Sequence, residues 1–265
     1  MAERVQKVLS QWGIASRRKA EQMIIDGRVQ INGQTAILGD KVDLTVDRLQ
    51  VDGATVKNVH RPTLVYLLLN KPVGVVSTCD DPQNRTTVLE LLAADLRQGK
   101  GIHPVGRLDF ASSGALILTN DGQLTLGLTH PRYHLPKTYL VKLDRSPTKK
   151  DLACWRQGIM LDGKKTRAAK INFARADRAR TTLEIVLTEG RNRQIRRVAQ
   201  KLGYQVNQLH RKAIGSITLD LGGGSKVEPG KYRHLRQSEI NFLKNLFQAK
   251  YSSQVTSSGS AVYEQ

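Results

Sequence analysis

Residues 106–122 read GRLDFASSGALILTNDG, and no other stretch restricts the fold of this chain as much. Ala115–Thr119 is an apolar run closed by an Asn-Asp-Gly turn, which reads as a buried strand with a turn at its end. The small residues Ser112, Ser113 and Gly114 lead into it, and one acid, Asp109, stands at its mouth after Arg107 and Leu108. The whole chain of 265 residues carries a net charge of +19, with 42 Lys and Arg against 23 Asp and Glu. An excess of that size favours a polyanionic partner, because each phosphate neutralised releases counterions. Phosphates repel carboxylates, so an acid fixed in that surface calls for a chemical role.

The rest of the chain does not repeat as strand–helix–strand units, which points to an α+β fold with a mixed, mostly antiparallel sheet. Val5, Val8, Leu9 and Trp12 recur at helical spacing over residues 4–12. Ser16 caps a second helix over Arg17–Asp26, with Ala20, Met23 and Ile24 inward. Val29–Ile31 then alternates into Asn32-Gly33, a hairpin turn. Asn58–Thr63 is polar, contains a proline and reads as a linker. Beyond it, Leu64–Leu69 reads as a buried strand, Lys71–Gly74 as a turn, and Val88, Leu91 and Leu92 as a short helix. KTYLVKL over Lys137–Leu143 alternates, with Tyr139, Val141 and Leu143 on one face. Thr148 and Asp151 form a capping box before a helix holding Leu152 and Trp155. Thr181–Thr188 is a half-buried strand, and the Ser-rich end from Tyr251 reads as a disordered tail.

A second constellation is EGRNRQIRRVAQKLG over Glu189–Gly203. Ile195, Val198, Ala199 and Leu202 share the inner face of a helix. Arg193 and Arg197 point outward, where they can bind phosphate, and Arg196 lies on the flank, within reach of a buried acid. From Arg191 to Lys212 there are seven Lys or Arg and no acid, Arg211 and Lys212 included, so this stretch is expected to contact RNA or DNA. By contrast, residues 1–60 carry nine basic against seven acidic side chains.

Other classes find little support. Cys79 and Cys154 make neither a disulfide framework nor a metal site, the six histidines lack ligand spacing, and both thiols are expected to be inert and half-buried in a reduced cytosol. The first residues lack the apolar core of a secretory signal, and no apolar run approaches membrane-spanning length. Gly222–Gly224 has no strand and helix around it to make a nucleotide loop and reads as a flexible turn.

Two resemblances sharpen these readings. ASRRKAEQMIIDGRVQINGQ resembles the S4 RNA-binding domain, which implies RNA contact by Arg17, Arg18, Lys19 and Arg28. GRLD with ASSGALILTNDG, then YLV, then EGRNRQIRR resembles the RsuA-type family of ribosomal RNA pseudouridine synthases over about residues 3–245. That family joins an S4 domain to a catalytic domain with a bent, mostly antiparallel sheet. The resemblance implies an S4-like domain over 1–60, a catalytic domain over 61–248 and a tail over 249–265. It makes Asp109 the essential aspartate. Tyr139 becomes the ring that stacks on the target uracil and helps remove the proton at carbon 5. Arg196 becomes the aspartate's basic partner, and Leu187 the apolar residue under the base. Arg107 is then the arginine that holds the flipped nucleotide's place or the RNA backbone. The reaction breaks a glycosidic carbon–nitrogen bond and rejoins the uracil through carbon. No electrons leave, so neither cofactor nor metal is expected.

The implied partner is ribosomal RNA or a ribosome assembly intermediate, met by a cytoplasmic monomer. STCDDPQNRTTVLELL over Ser77–Leu92 resembles the branch acting on large-subunit rRNA near the peptidyl-transferase centre, with small-subunit rRNA as the alternative. A non-catalytic RNA-binding assembly factor is the alternative from another class, against which intact Asp109, Tyr139 and Arg196 argue. A methyltransferase would need a glycine-rich cofactor loop after a strand, and none is present.

Overall fold

The computed structural model describes residues 2–57, 61–130, 133–176 and 181–246, with side chains over 133–174 of the third span. The linker's Asn58, Val59 and His60 and the C-terminal tail lie outside the described residues. By Cα proximity the chain divides into two compact units. The first comprises residues 1–66, 89–103 and 118–122, and the second comprises 67–88, 104–117 and 123–265.

In the first unit, helices Val5–Gln11 and Arg17–Ile25 fall where the apolar spacing puts them. Ser16 Oγ accepts from Lys19 N, which satisfies one of the orphan amides of the second helix. Val29–Ile31 pairs antiparallel with Gln34–Thr35 and with Leu49–Val51. Asn32 and Gly33 between the first two both have positive φ, 52° and 84°, as a tight hairpin turn requires. Val5, Leu9, Ala20, Val29 and Leu49 make the fully buried centre of this unit.

The segment 89–103 belongs to the same unit, although it is distant in sequence. A Cβ built on Gly13 would overlap the carbonyl of Gly99, and one on Gly101 would press on the carbonyl of Ser10. Both glycines also have positive φ. Backbone therefore lies directly on backbone here, which no other residue permits.

The second unit is built on a nine-stranded sheet. Its main path runs Lys170–Ala176, Thr181–Leu187, Lys137–Leu143, Val206–Ile214, Ser113–Thr119, Tyr66–Lys71 and Tyr232–His234. Val206–Ile214 pairs parallel with Ser113–Thr119. The pairs Lys137–Leu143 with Thr181–Leu187, and Lys137–Leu143 with Val206–Ile214, are antiparallel. The fold is thus α+β with a mixed, mostly antiparallel sheet. One face is closed by Leu152 and Trp155 of helix Lys149–Gln157 and by Ile195, Val198 and Ala199 of helix Gln194–Lys201. These pack on Val141, Leu143, Leu183, Ile185 and Leu187. Each such side chain contributes about 1.5–3 kcal/mol by leaving water.

Four details depart from the sequence reading. The buried strand begins at Tyr66 and runs through Lys71, and Leu64 is exposed. Val88–Leu91 is a turn, and the short helix follows at Ala94–Arg97. Thr148 Oγ1 accepts from Asp151 N as a cap should, but Thr148 N donates to the Tyr204 hydroxyl at 3.2 Å, so the reciprocal half of the box is replaced. Cys79 and Cys154 are exposed, because neither points into a core face.

Replacing Gly13 by alanine is expected to lower stability by about 1–3 kcal/mol, from overpacking against Gly99 together with the strained φ. Urea unfolding of the full chain measures it. An unchanged midpoint would show that the two backbones are not held together.

Candidate active site

Asp109 lies in the loop that enters strand Ser113–Thr119, and hydrogen bonds fix that loop residue by residue. Five consecutive carbonyls each accept a hydrogen bond. Ser77 Oγ donates to Leu108 O at 2.9 Å, Ser112 N to Asp109 O at 2.9 Å and Gly74 N to Phe110 O at 2.9 Å. Arg196 Nη2 donates to Ala111 O and Lys71 Nζ to Ser112 O, both at 2.8 Å. Leu108 N also donates back to Ser77 Oγ at 3.2 Å. A loop bonded at every carbonyl holds its side chains in place without a helix or a strand.

The Asp109 carboxylate borders a cavity of about 460 Å3 in the second unit, a volume suited to a small ligand or a single nucleotide base. Tyr139 and Leu187 line it together with Arg107, Arg193, Arg191, Lys137 and Arg211. Five basic side chains thus face two carboxylates, Asp109 and Glu189. Sheet register explains the grouping. Lys137 pairs with Leu187, and Tyr139 pairs with Arg211, so all four share one face. The register slips between Thr138 and Tyr139, so Lys212 is passed over and Arg211 stands opposite the tyrosine. Bulges of this kind re-aim side chains beside sites. At Gly114, whose φ is +109°, a Cβ would overlap the backbone of Arg211, so glycine lets the two strands close at this residue.

Two expected roles are corrected by the geometry. Arg196 was expected to pair with Asp109, but its guanidinium is spent on Ala111 O and, at 3.0 Å, on Val206 O. The ion pair to Asp109 comes from Arg193, at 3.6 Å. Arg193 caps the helix in the left-handed conformation, φ 48° and ψ 32°, and lines the cavity rather than pointing away from it. At that distance the pair is ionic and not a hydrogen bond. Arg211 was expected on an RNA-facing surface, but it is 3% exposed and its Nε donates to Ala115 O at 2.6 Å. Strand alternation separates it from Lys212, which faces the other way and pairs with Glu184 at 3.0 Å.

The remaining basic residues divide by what already holds them. Arg107 is exposed, lines the cavity and has no polar partner among the described residues. Arg191 also lines it, but its guanidinium is tied to Lys164 O and Glu189. Arg197 pairs with Asp162 and does not border the cavity. Arg17, Arg18 and Lys19 are exposed and carry no ion pair among the described residues. Arg28 is held by both carboxylate oxygens of Asp52.

The sequence reading passed over Lys71 and Lys137. Lys71 is fully buried, with Nζ on Pro72 O and Ser112 O. Burial lowers its pKa to about 8, against the pull of Asp109 and with a further push from Arg211. Lys137 is likewise held at about 8, by burial and by Arg211. Burial also lowers the Arg196 pKa, helped by Arg193 and opposed by Asp109. Alternation places Lys137 on the face of Tyr139, a signal present in KTYLVKL. Lys71 gives no such signal, since a lysine after an apolar run reads as the strand's end. Among the described residues no three His, Cys, Asp or Glu converge on a metal site, and no helix is long and apolar enough to cross a membrane.

Known proteins are similar to the chain over most of its length. Residues 65–201 match the RNA pseudouridylate synthase family and residues 3–45 match the S4 domain. The chain is 40% identical to an uncharacterised RNA pseudouridine synthase of Aquifex aeolicus, covering 95% of this chain and 97% of that protein. It is 39% identical to ribosomal large subunit pseudouridine synthase B of Bacillus subtilis, over 88% of this chain and 96% of the relative. A pseudouridylate synthase crystal structure superposes with a TM-score of 0.64 at 32% identity, covering 91% of this chain and 99% of that one.

Lys137 gives a signed pH prediction. Its folded pKa lies below the ordinary 10.5, so the unfolded chain binds more protons above pH 8 and the wild type gains stability as pH rises. Lys137→Met removes that gain. Any melting advantage of the variant at pH 7 should therefore shrink by pH 9.5. A difference in Tm that stays constant with pH would contradict the burial of this ammonium.

Proposed function

The chain belongs to the RNA pseudouridylate synthase family, and from that premise we propose that it isomerises a uridine of large-subunit ribosomal RNA near the peptidyl-transferase centre, with Asp109 as the catalytic carboxylate. The observation that carries the reading is the carbonyl-by-carbonyl fixation of the Asp109 loop at a cavity lined by Tyr139 and Leu187. A base taken out of its stack costs a few kcal/mol, and a ring such as Tyr139 returns about 1–3 kcal/mol by stacking. Leu187, 4% exposed, gives the base an apolar contact. Asp109 then acts as nucleophile or base at the sugar, or as nucleophile at the base. Arg193 pairs with it, and further cations line the same cavity. Arg107, exposed beside the cavity and without a polar partner among the described residues, takes the RNA backbone or the vacated place in the stack.

Residues 1–60 serve as the RNA-binding module, with Arg17, Arg18 and Lys19 offering unpaired charge to phosphates, and residues 61–248 serve as the catalytic domain. The choice of large-subunit RNA rests on the Ser77–Leu92 segment and is supported by the name of the Bacillus subtilis relative. The protein acts in the cytoplasm, on rRNA or an assembly intermediate.

Asp109→Asn should lower pseudouridine formation by at least about 10³-fold. RNA affinity should stay the same or rise, because a charge that repels phosphate is removed. Tritium release from transcripts carrying uridine tritiated at carbon 5 measures the first, and filter binding the second. Full activity of the variant would end the assignment. Carbodiimide-stop primer extension on RNA from a deletion strain identifies the target. A stop lost from small-subunit RNA would refute the large-subunit choice, and no lost stop would favour a non-catalytic assembly factor.

A further inference from the structure

Resting on the assignment of this cavity to the target uridine, we propose that Arg211 and Lys137 form a subsite for the pyrimidine carbonyl oxygens, which stabilises the negative charge that the uracil acquires during isomerisation. Three observations converge on this. Arg211 is 3% exposed and lines the cavity, yet its Nη2 has no hydrogen-bond partner among the described residues. Only its Nε is satisfied, by Ala115 O. A buried guanidinium nitrogen left without an acceptor is costly, so an acceptor supplied by a ligand accounts for it. Lys137 lines the same cavity, and its only bond among the described residues is a long one of 3.3 Å to Leu135 O. No carboxylate pairs with either cation among the described residues. Ser112 lines the cavity as well, and its buried Oγ has no partner among the described residues.

Placement identifies the group that would meet them. Arg211 stands beside Tyr139 across the strand pair, and Lys137 is two residues before Tyr139 on the same face. A ring lying on Tyr139 would present its edge to both. The phosphates of the same nucleotide are tied to the RNA backbone and remain at the rim, near Arg107. The deep donors are therefore left to the base, whose edge acceptors are its two carbonyl oxygens.

The chemistry needs donors there whichever way Asp109 acts. If the carboxylate attacks the anomeric carbon, a carbon–oxygen bond forms while the carbon–nitrogen bond breaks, and its electron pair leaves with the uracil. If the carboxylate removes the proton from carbon 2 of the ribose, a double bond forms in the sugar and the same pair leaves with the uracil. If it adds to carbon 6 of the base, the ring electrons move onto a carbonyl oxygen. In each case one negative charge spreads over the pyrimidine oxygens. It is consumed when carbon 5 bonds to the anomeric carbon, as the carboxylate leaves the sugar or base it had joined or returns the proton it had taken, and the ring then loses its carbon-5 proton while the freed nitrogen gains one. Fixed cations aimed at that charge act on the transition state more than on the ground state.

Single-turnover tritium release from in vitro transcripts of both rRNAs tests the inference, with Asp109→Asn as control. Lys137→Met and Arg211→Met should each slow release by about 100-fold or more while RNA affinity stays unchanged. Wild type should also slow on transcripts made with 2-thiouridine or 4-thiouridine, since sulfur accepts hydrogen bonds poorly, and Lys137→Met should lose part of that sensitivity. A merely structural role would leave the thio effect intact. If Arg211→Met fails to fold, Lys137→Met decides alone. Release within about twofold of wild type in the folded variants, with Asp109→Asn inactive, overturns this subsite and leaves the active-site assignment standing. Release by Asp109→Asn overturns the assignment itself.

Discussion

The site depends on the backbone of Leu108–Ser112 being held at every carbonyl. A loop has no hydrogen-bond ladder of its own, and a carboxylate carried on it would sample many positions. Here the donors come from four separate stretches of chain: Lys71 and Gly74, Ser77, Ser112 and Arg196. The loop is fixed only when the strand ending at Lys71, the turn after it and the helix Gln194–Lys201 are all in place. Formation of the catalytic geometry is thereby coupled to the folding of the second unit as a whole.

Two of those donors are cations, and they satisfy carbonyls rather than carboxylates. That choice has an electrostatic consequence. A lysine or arginine bonded to a carboxylate is neutralised, whereas one bonded to a carbonyl keeps its field. Lys71, Arg196 and Arg211 are all spent on carbonyls, and so their charge remains to act on Asp109 and on anything that enters the cavity. Burial, with Arg211 nearby, lowers the pKa of both Lys71 and Lys137 to about 8. Stability is given up at neutral pH to keep an electropositive wall around one acid.

Local signals carried most of the fold, and they failed where tertiary contacts decide. Ser16, Asn32-Gly33, Thr148 and the alternation of KTYLVKL each act over a few residues, so caps, turns and strands were legible from them. Asp109, Tyr139 and Leu187 were legible through resemblance, and the structure brings them to one cavity. The partner of Asp109 was not. Helical projection separates inward from outward faces, but it cannot foresee that Arg193 turns back in a left-handed cap while Arg196 reaches two carbonyls first. Nor could alternation choose between Arg211 and Lys212, because a single bulge on the facing strand decides which of them stands opposite Tyr139. The union of residues 89–103 with the first unit was equally hidden, since a contact between glycine backbones leaves no apolar pattern.

The cations around Asp109 therefore differ in what they can do. Lys71 is fully buried and doubly bonded, and Arg196 is anchored at both ends of its guanidinium. Neither can move without releasing the loop. Arg193 has a side chain that is 50% exposed, and no hydrogen bond secures it to Asp109 at 3.6 Å. Exposed ion pairs of this kind are worth little and open readily. Arg193 can therefore leave the carboxylate at small cost. Lys71 and Arg196 stay in place when it does. One partner of the acid can thus yield, while the cations that fix its loop cannot.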